Sequence, residues 1–194
     1  VEILLYDAEI KNAILGAKES PLPGITYAKS FKDFEGMGIS VVGTYSYITQ
    51  KYELFEEDEL KELQELMDSH KLLVGFNNLN FDNKLLSCNG IHIPREKVYD
   101  IYLEVKHAAG AGTFAKGYRL QDIALANGLE GKSGNGKDAP IMWQRGLLDD
   151  VRAYCHQDMV VTKEVFDLII AGILVSPVTH NVLHVMKPVE EVKK

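Results

Sequence analysis

Residues 2–6, EILLY, form a short and nearly continuous apolar run, and two acids one residue apart, Asp7 and Glu9, follow it at once. A run of this kind suits a strand buried on both faces, at the centre of a sheet with layers on either side. Side chains alternate along a strand, so Asp7 and Glu9 point to the same face. The fold must therefore deliver two carboxylates to one point from the end of its most buried strand.

The rest of the chain supplies partners for that strand. Residues 39–48 (ISVVGTYSYI) and 51–55 (KYELF) are rich in β-branched and aromatic residues and read as an antiparallel pair. Residues 57–69 carry Leu60, Leu63, Leu66 and Met67 among charges, the pattern of a surface helix. Strand is expected again at 72–76 and 97–101, helix at 82–88, from 118 to a stop at Gly128, and from about 148 to 173, with Asp149 or Asp150 near the start of the last. An edge strand is expected at 182–185. Strands in meander and then alternating with helices predict a mixed α/β sheet, and the absence of repeats or linkers predicts one domain over residues 1–194. The connection at 10–37, with SPLPG inside it, is long enough to suggest a functional loop.

At 194 residues, 46% hydrophobic and 25% charged, the chain can bury a substantial core. Its longest apolar run, LIIAGILV at 168–175, is far shorter than the roughly 20 residues of a membrane span. No basic-then-apolar leader is visible, and Cys88 and Cys155 match no metal-ligand spacing, so a cytoplasmic protein with reduced, packed cysteines is expected. The net charge of −7 argues against nucleic-acid binding at first sight. The charge is uneven, however: residues 105–146 hold Lys106, Lys116, Arg119, Lys132, Lys137 and Arg145 against Asp122, Glu130 and Asp138, whereas 53–65 is strongly acidic. The acidic stretch reads as solvated surface, and the basic one is open to phosphate contact.

Two further acids join the first pair. Asp82 ends GFNNLNFD at 75–82, after the expected strand at 72–76, and Asp158 stands four residues after Tyr154 on a helix, which puts both on one helix face. Four carboxylates exceed what one divalent cation requires and suit two. A two-metal site, with ions about 3.5–4 Å apart, activates water, clamps a phosphate and stabilises the departing oxygen. Oxygen ligands select hard ions such as Mg²⁺ or Mn²⁺.

These motifs resemble those of the DEDD 3′–5′ exonucleases of the ribonuclease H-like superfamily, in the branch with Tyr rather than His, and are similar to the proofreading domain of family B DNA polymerases. Asp7 and Glu9 match the first motif, Gly75 to Asp82 the second at every fixed position, and Tyr154 with Asp158 the third. The histidine of the other branch would stand five residues before the aspartate, where this chain has Ala153. The resemblance implies a ribonuclease H-like mixed five-stranded sheet flanked by helices, and a magnesium- or manganese-dependent hydrolase that releases nucleoside 5′-monophosphates from single-stranded DNA. It implies that Asp7 bridges two ions, that Glu9 and Asp158 hold the one carrying the attacking water, that Asp82 supports the second, and that Tyr154 orients the water. Asn77 and Asn80 would position the substrate end or brace the Asp82 loop. Phe76 or Phe81 would stack on a base, with Phe81 the better candidate for the core. Lys132 and Lys137 would follow the DNA backbone.

Readings of other kinds have less support in the residues. The stretch GLEGKSGNGK ends like a phosphate-binding loop at Gly131, Lys132 and Ser133, but Ala126 replaces its leading glycine and a helix precedes it. No GxSxG elbow supports a serine hydrolase. The six histidines are scattered, and Trp143 reads as a loop anchor. An RNA exonuclease of the ribonuclease D kind and a catalytically weak nucleic-acid-binding or proofreading accessory module are the competing expectations.

Overall fold

A computed structural model describes residues 2–110, 112, 116–131, 134 and 136–188. Strand β1 (Ile3–Ile10) runs longer than its apolar core and carries Asp7 and Glu9 within it. The 10–37 connection is not structureless. It holds β2 (Ala13–Ile14) and β3 (Tyr27–Ala28), paired in parallel, and the short helix α1 (Phe34–Met37), capped by Asp33. Next come β4 (Ile39–Ser46) and β5 (Lys51–Glu56), antiparallel as expected, a 3₁₀ turn at Glu57–Glu59 and α2 (Leu60–Asp68). The chain continues through β6 (Leu72–Gly75), α3 (Asp82–Cys88), β7 (Val98–Asp100) and α4 (Ile101–Ala108). Helices α5 (Leu120–Ala126), α6 (Ala139–Gln144) and α7 (Leu148–Ala171) complete it.

The main sheet is five-stranded and mixed, in the order β5-β4-β1-β6-β7, with β1 central, antiparallel to β4 and parallel to β6. Alternation along β1 splits the core in two. Ile3 and Leu5 join Val161, Val165 and Phe166 of α7 on one face, and Leu4, Tyr6, Ala8 and Ile10 join Met37, Leu63, Met67, Leu85 and Leu86 on the other. Leu4, Leu5 and Phe166 are fully buried, and burial of each such side chain contributes roughly 1.5–3 kcal/mol. The α7-facing row of β1 runs Ile3, Leu5, Asp7, Glu9, so the core passes into the acids without a change of face.

Several expectations need correction. Helices α4 and α6 were not expected, the first because Asp100 caps a helix at the end of its strand by accepting from Leu103 N. The 182–185 segment forms no strand and contributes only an isolated bridge, Val175 to Val182. Helix α7 starts at Leu148 without a side-chain cap, with Asp149 and Asp150 in its first turn, and ends at Gly172 in the left-handed region (φ 77°). Cys155 is buried as expected, whereas Cys88 is exposed, and both are free. Among the described residues no helix is long and apolar enough to cross a membrane.

Candidate active site

Asp7 and Glu9 project from β1 toward α7, which brings Asp158 to them. Each of the three offers a carboxylate oxygen, and these oxygens all lie within 4.8 Å of one another. Glu9 and Asp158 are buried, and Asp7 is partly exposed. The approach of α7 depends on a residue with no side chain. Gly43 of β4 stands opposite Asp7 in the sheet, and a Cβ there would meet Met159 Cγ at 2.7 Å and Cys155 Sγ at 2.9 Å. A larger residue there would force the Met159 and Cys155 side chains to move from the contact that seats α7, and Asp158 with it, against the strand.

Asp82 occupies the first turn of α3 and is buried. Its Oδ1 accepts the Ala8 N–H at 3.0 Å, so it is fastened to the peptide between the first two acids. Burial, and after it the charge of Asp7, push its carboxyl well above the usual range. Asp82 thus lies beside Asp7 without belonging to the three-carboxylate group.

The loop that presents Asp82 is tied down by a residue the sequence reading passed over. Asp100, at the end of β7, accepts Asn77 N on Oδ1 at 3.0 Å and Leu79 N on Oδ2 at 3.1 Å. Asn77 adopts φ 62°, where Asn is among the few non-glycine residues tolerated, and its Oδ1 accepts from Asn80 Nδ2 at 2.9 Å. Asn78, fully buried, donates to the Tyr6 hydroxyl at 2.7 Å, and that hydroxyl donates to Asn83. Asn77 and Asn80 therefore brace the loop. The one clue to Asp100 was its place between a strand and an apolar stretch, where an aspartate caps a helix.

Tyr154 sits one turn before Asp158 and hydrogen-bonds to it. Burial, followed by the charges of Asp158 and Glu9, lifts the phenol far above its ordinary value, so at neutral pH it is a donor and not a base. Tyr154 faces a cleft of about 720 Å³ lined also by Phe76, Asn77, Tyr102, Arg119, Gly134 and Gly136. A Cβ at Gly134 would stand 3.3 Å from the Tyr154 ring, so the glycine-rich loop crosses close above it. Phe76 and Tyr102 form a tilted pair, centroids 5.4 Å apart, on the cleft wall. Arg119, which also lines the cleft, forks onto Asp122 through Nε and Nη2, both at 2.9 Å. Tyr102 was not foreseen, because the strand expected at 97–101 hid the start of α4.

The remaining candidates lie elsewhere. Asn80 is exposed. Phe81 packs on the core face away from α7, against Phe34. Lys137 pairs with Glu19 at 2.8 Å and so joins the glycine-rich loop to the 10–37 segment. Lys132 lies outside the described residues. His70 is buried and hydrogen-bonded to Ser46 and to the Leu66 carbonyl, a structural role.

The donor set fits a hard divalent cation. Three anionic oxygens converge with no sulfur or imidazole among them, and among the described residues this is the one such group. Asp7, Glu9 and Asp158 could hold one ion, and Asp82, beside Asp7, could support a second.

A family model for the RNase_H superfamily matches residues 25–170. The matched stretch contains Asp82, Tyr154 and Asp158 and begins after β1, so Asp7 and Glu9 join it through the sheet. No curated protein matches the chain. Among solved structures, the family B DNA polymerase from the hyperthermophilic archaeon Pyrobaculum calidifontis superposes with a TM-score of 0.62 at 14% identity, over 94% of this chain and 26% of the polymerase. The likeness is one of fold, and the chain spans about a quarter of that polymerase's length.

Proposed function

Because the chain belongs to the RNase_H superfamily, we propose that it is a metal-dependent 3′–5′ exonuclease that removes nucleoside 5′-monophosphates from single-stranded DNA. One observation carries the reading: Asp7, Glu9 and Asp158 meet within 4.8 Å, and the Tyr154 hydroxyl is hydrogen-bonded at that same group. The preference for DNA is supported by the structural likeness to a DNA polymerase, and the direction by the resemblance of the three acidic motifs to those of the 3′–5′ exonucleases.

Divalent cations held by these carboxylates would supply a water nucleophilic at neutral pH and neutralise charge on the phosphate. The chain's own residues do the rest. Tyr154, a phenol throughout the neutral range, directs its hydroxyl at the Asp158 side of the group and orients the attacking water there. Asp82, fixed by Ala8, keeps a second anionic position at a set distance from Asp7. Phe76 and Tyr102 offer an apolar wall for the terminal base, and the small residues Gly134 and Gly136 leave room for the sugar beside Tyr154. Water adds to phosphorus, the P–O3′ bond breaks, and the leaving oxygen takes up a proton. A recessed cleft admits a single strand, and a duplex end must fray first.

A ladder assay tests the reading. One strand labelled at its 5′ end, incubated with Mg²⁺ or Mn²⁺, should shorten one nucleotide at a time, and the RNA of the same sequence should shorten more slowly. A labelled strand still at full length after prolonged incubation with both ions would overturn the nuclease reading, and faster shortening of the RNA would reassign the substrate.

A further inference from the structure

Outside the acid group, one cluster combines an exposed aromatic with cations. Phe31 is 65% exposed, yet it is not isolated: its ring lies 5.7 Å from that of Phe81, which in turn meets Phe34 at 5.8 Å. Phe81 immediately precedes Asp82, so the outermost ring of this stack is two side chains from a candidate metal ligand. Lys29 and Lys32 flank Phe31 in sequence, and Lys84 lies over the Phe34 ring at 5.9 Å. None of the three lysines forms an ion pair with a described residue, whereas Lys11, Lys61, Lys71, Lys137 and Lys163 all do. Asp33 is occupied by the backbone N–H groups of Lys29 and Gly36, which leaves Glu35 as the exposed acid between residues 29 and 37.

We infer that Phe31 is a stacking platform for an unpaired base of the strand whose 3′ end lies at the acids, with Lys29, Lys32 and Lys84 following its phosphates. Single-stranded nucleic acid is held in this way, by aromatic faces that accept any base and by a positive track along the backbone. The charges decide between this and a purely apolar docking face: the chain carries −7 overall, yet Lys29, Lys32 and Lys84, none in an ion pair with a described residue, accompany an aromatic cluster with one exposed ring, a combination complementary to a polyanion with flat apolar bases. The 10–37 segment thereby acquires a task, to carry Phe31 onto the end of the Asp82 loop.

The inference rests on the nuclease reading for which strand is bound, and its test is independent of turnover. Fluorescence anisotropy in EDTA would measure affinity for a labelled dT12 and for an abasic strand of the same length. Phe31→Ala should weaken dT12 binding roughly tenfold, the scale of one base–aromatic stack, and leave the abasic strand unchanged. Phe31→Trp should retain affinity and show fluorescence quenching on binding dT12. Lys29→Ala with Lys32→Ala should weaken both strands and flatten the salt dependence. Unchanged dT12 affinity in Phe31→Ala would overturn the inference while leaving hydrolysis, and thus the nuclease reading, to stand or fall by the ladder assay. Loss of self-association in Phe31→Ala with strand affinity intact would assign the surface to a second copy of the chain and would equally overturn it.

Discussion

Asp82 Oδ1 accepts the Ala8 backbone N–H at 3.0 Å, so the acid of the second motif is anchored to the residue that separates the two acids of the first. Its distance from Asp7 is fixed by a strand backbone and not by a rotamer. Asp82→Asn preserves Oδ1 as an acceptor and removes only the buried charge. Its melting temperature without metal should equal or exceed that of the natural protein at neutral pH, while hydrolysis falls sharply. A melt lowered by several degrees would mean that the carboxylate holds the fold and has no special place in the chemistry.

Removing a carboxylate from the converging group should separate stability from activity. Asp7→Ala and Asp158→Ala are expected to fold and to lose more than about a hundredfold in hydrolysis, since even residues behind metal ligands are worth about 10–100-fold. In the natural protein Mg²⁺ or Mn²⁺ at a hundred times its dissociation constant should add about 2.7 kcal/mol. That corresponds to roughly 2–4 °C per kcal/mol in a chain of this size. A thermal melt across a metal titration checks this, and Asp158→Ala should show little of the rise.

Tyr154→Phe keeps the ring against the glycine-rich loop and deletes the hydroxyl that meets Asp158. The expected result is a fall in kcat of up to about a hundredfold, the low end of the range for acid–base groups, with the metal-induced rise in melting temperature intact. Single-turnover kinetics with saturating enzyme would measure it. An unaltered rate would remove the hydroxyl from the reaction.

Asp100 offers a pH test away from the metal ligands. Asp100→Asn cannot accept all three N–H groups now shared by its two oxygens, and a buried donor left unsatisfied costs about 1–3 kcal/mol. Burial lifts the carboxyl above its ordinary value, so between that value and the raised one the folded protein holds more protons than the unfolded chain. Its contribution is therefore fully present at low pH and declines as pH rises. Urea melts should show the deficit of Asp100→Asn larger at about pH 4 than at about pH 7.5, and the reverse order would contradict this assignment.

Periodicity carried the elements that are long or β-branched: the β4–β5 pair, α2, α3 and α7 stand close to where residue patterns place them. It failed where structure is short or owed to distant contacts. Strands β2 and β3 have two residues each, too few to show alternation, and α6 is a short helix set behind a glycine-rich stretch, stabilised by packing of Met142 and Trp143 on the core. Asp100 does end a strand, as its pattern indicates, but its bracing of the Asp82 loop was not legible because its partners, Asn77 and Leu79, lie more than twenty residues upstream. The acids were legible as types and spacings, and their convergence was not, since it depends on Gly43 admitting α7 beside β1.

That glycine contact also sets an order of events. Asp7 and Glu9 belong to the first strand and Asp158 to the last helix, so a growing polypeptide carries two of the three converging oxygens long before it gains the third. No chain that ends before α7 can assemble the group, however well its sheet has formed. Hydrolytic competence would then switch on late, as α7 seats over Gly43, and partly synthesised or truncated copies would be inert toward the strands they meet.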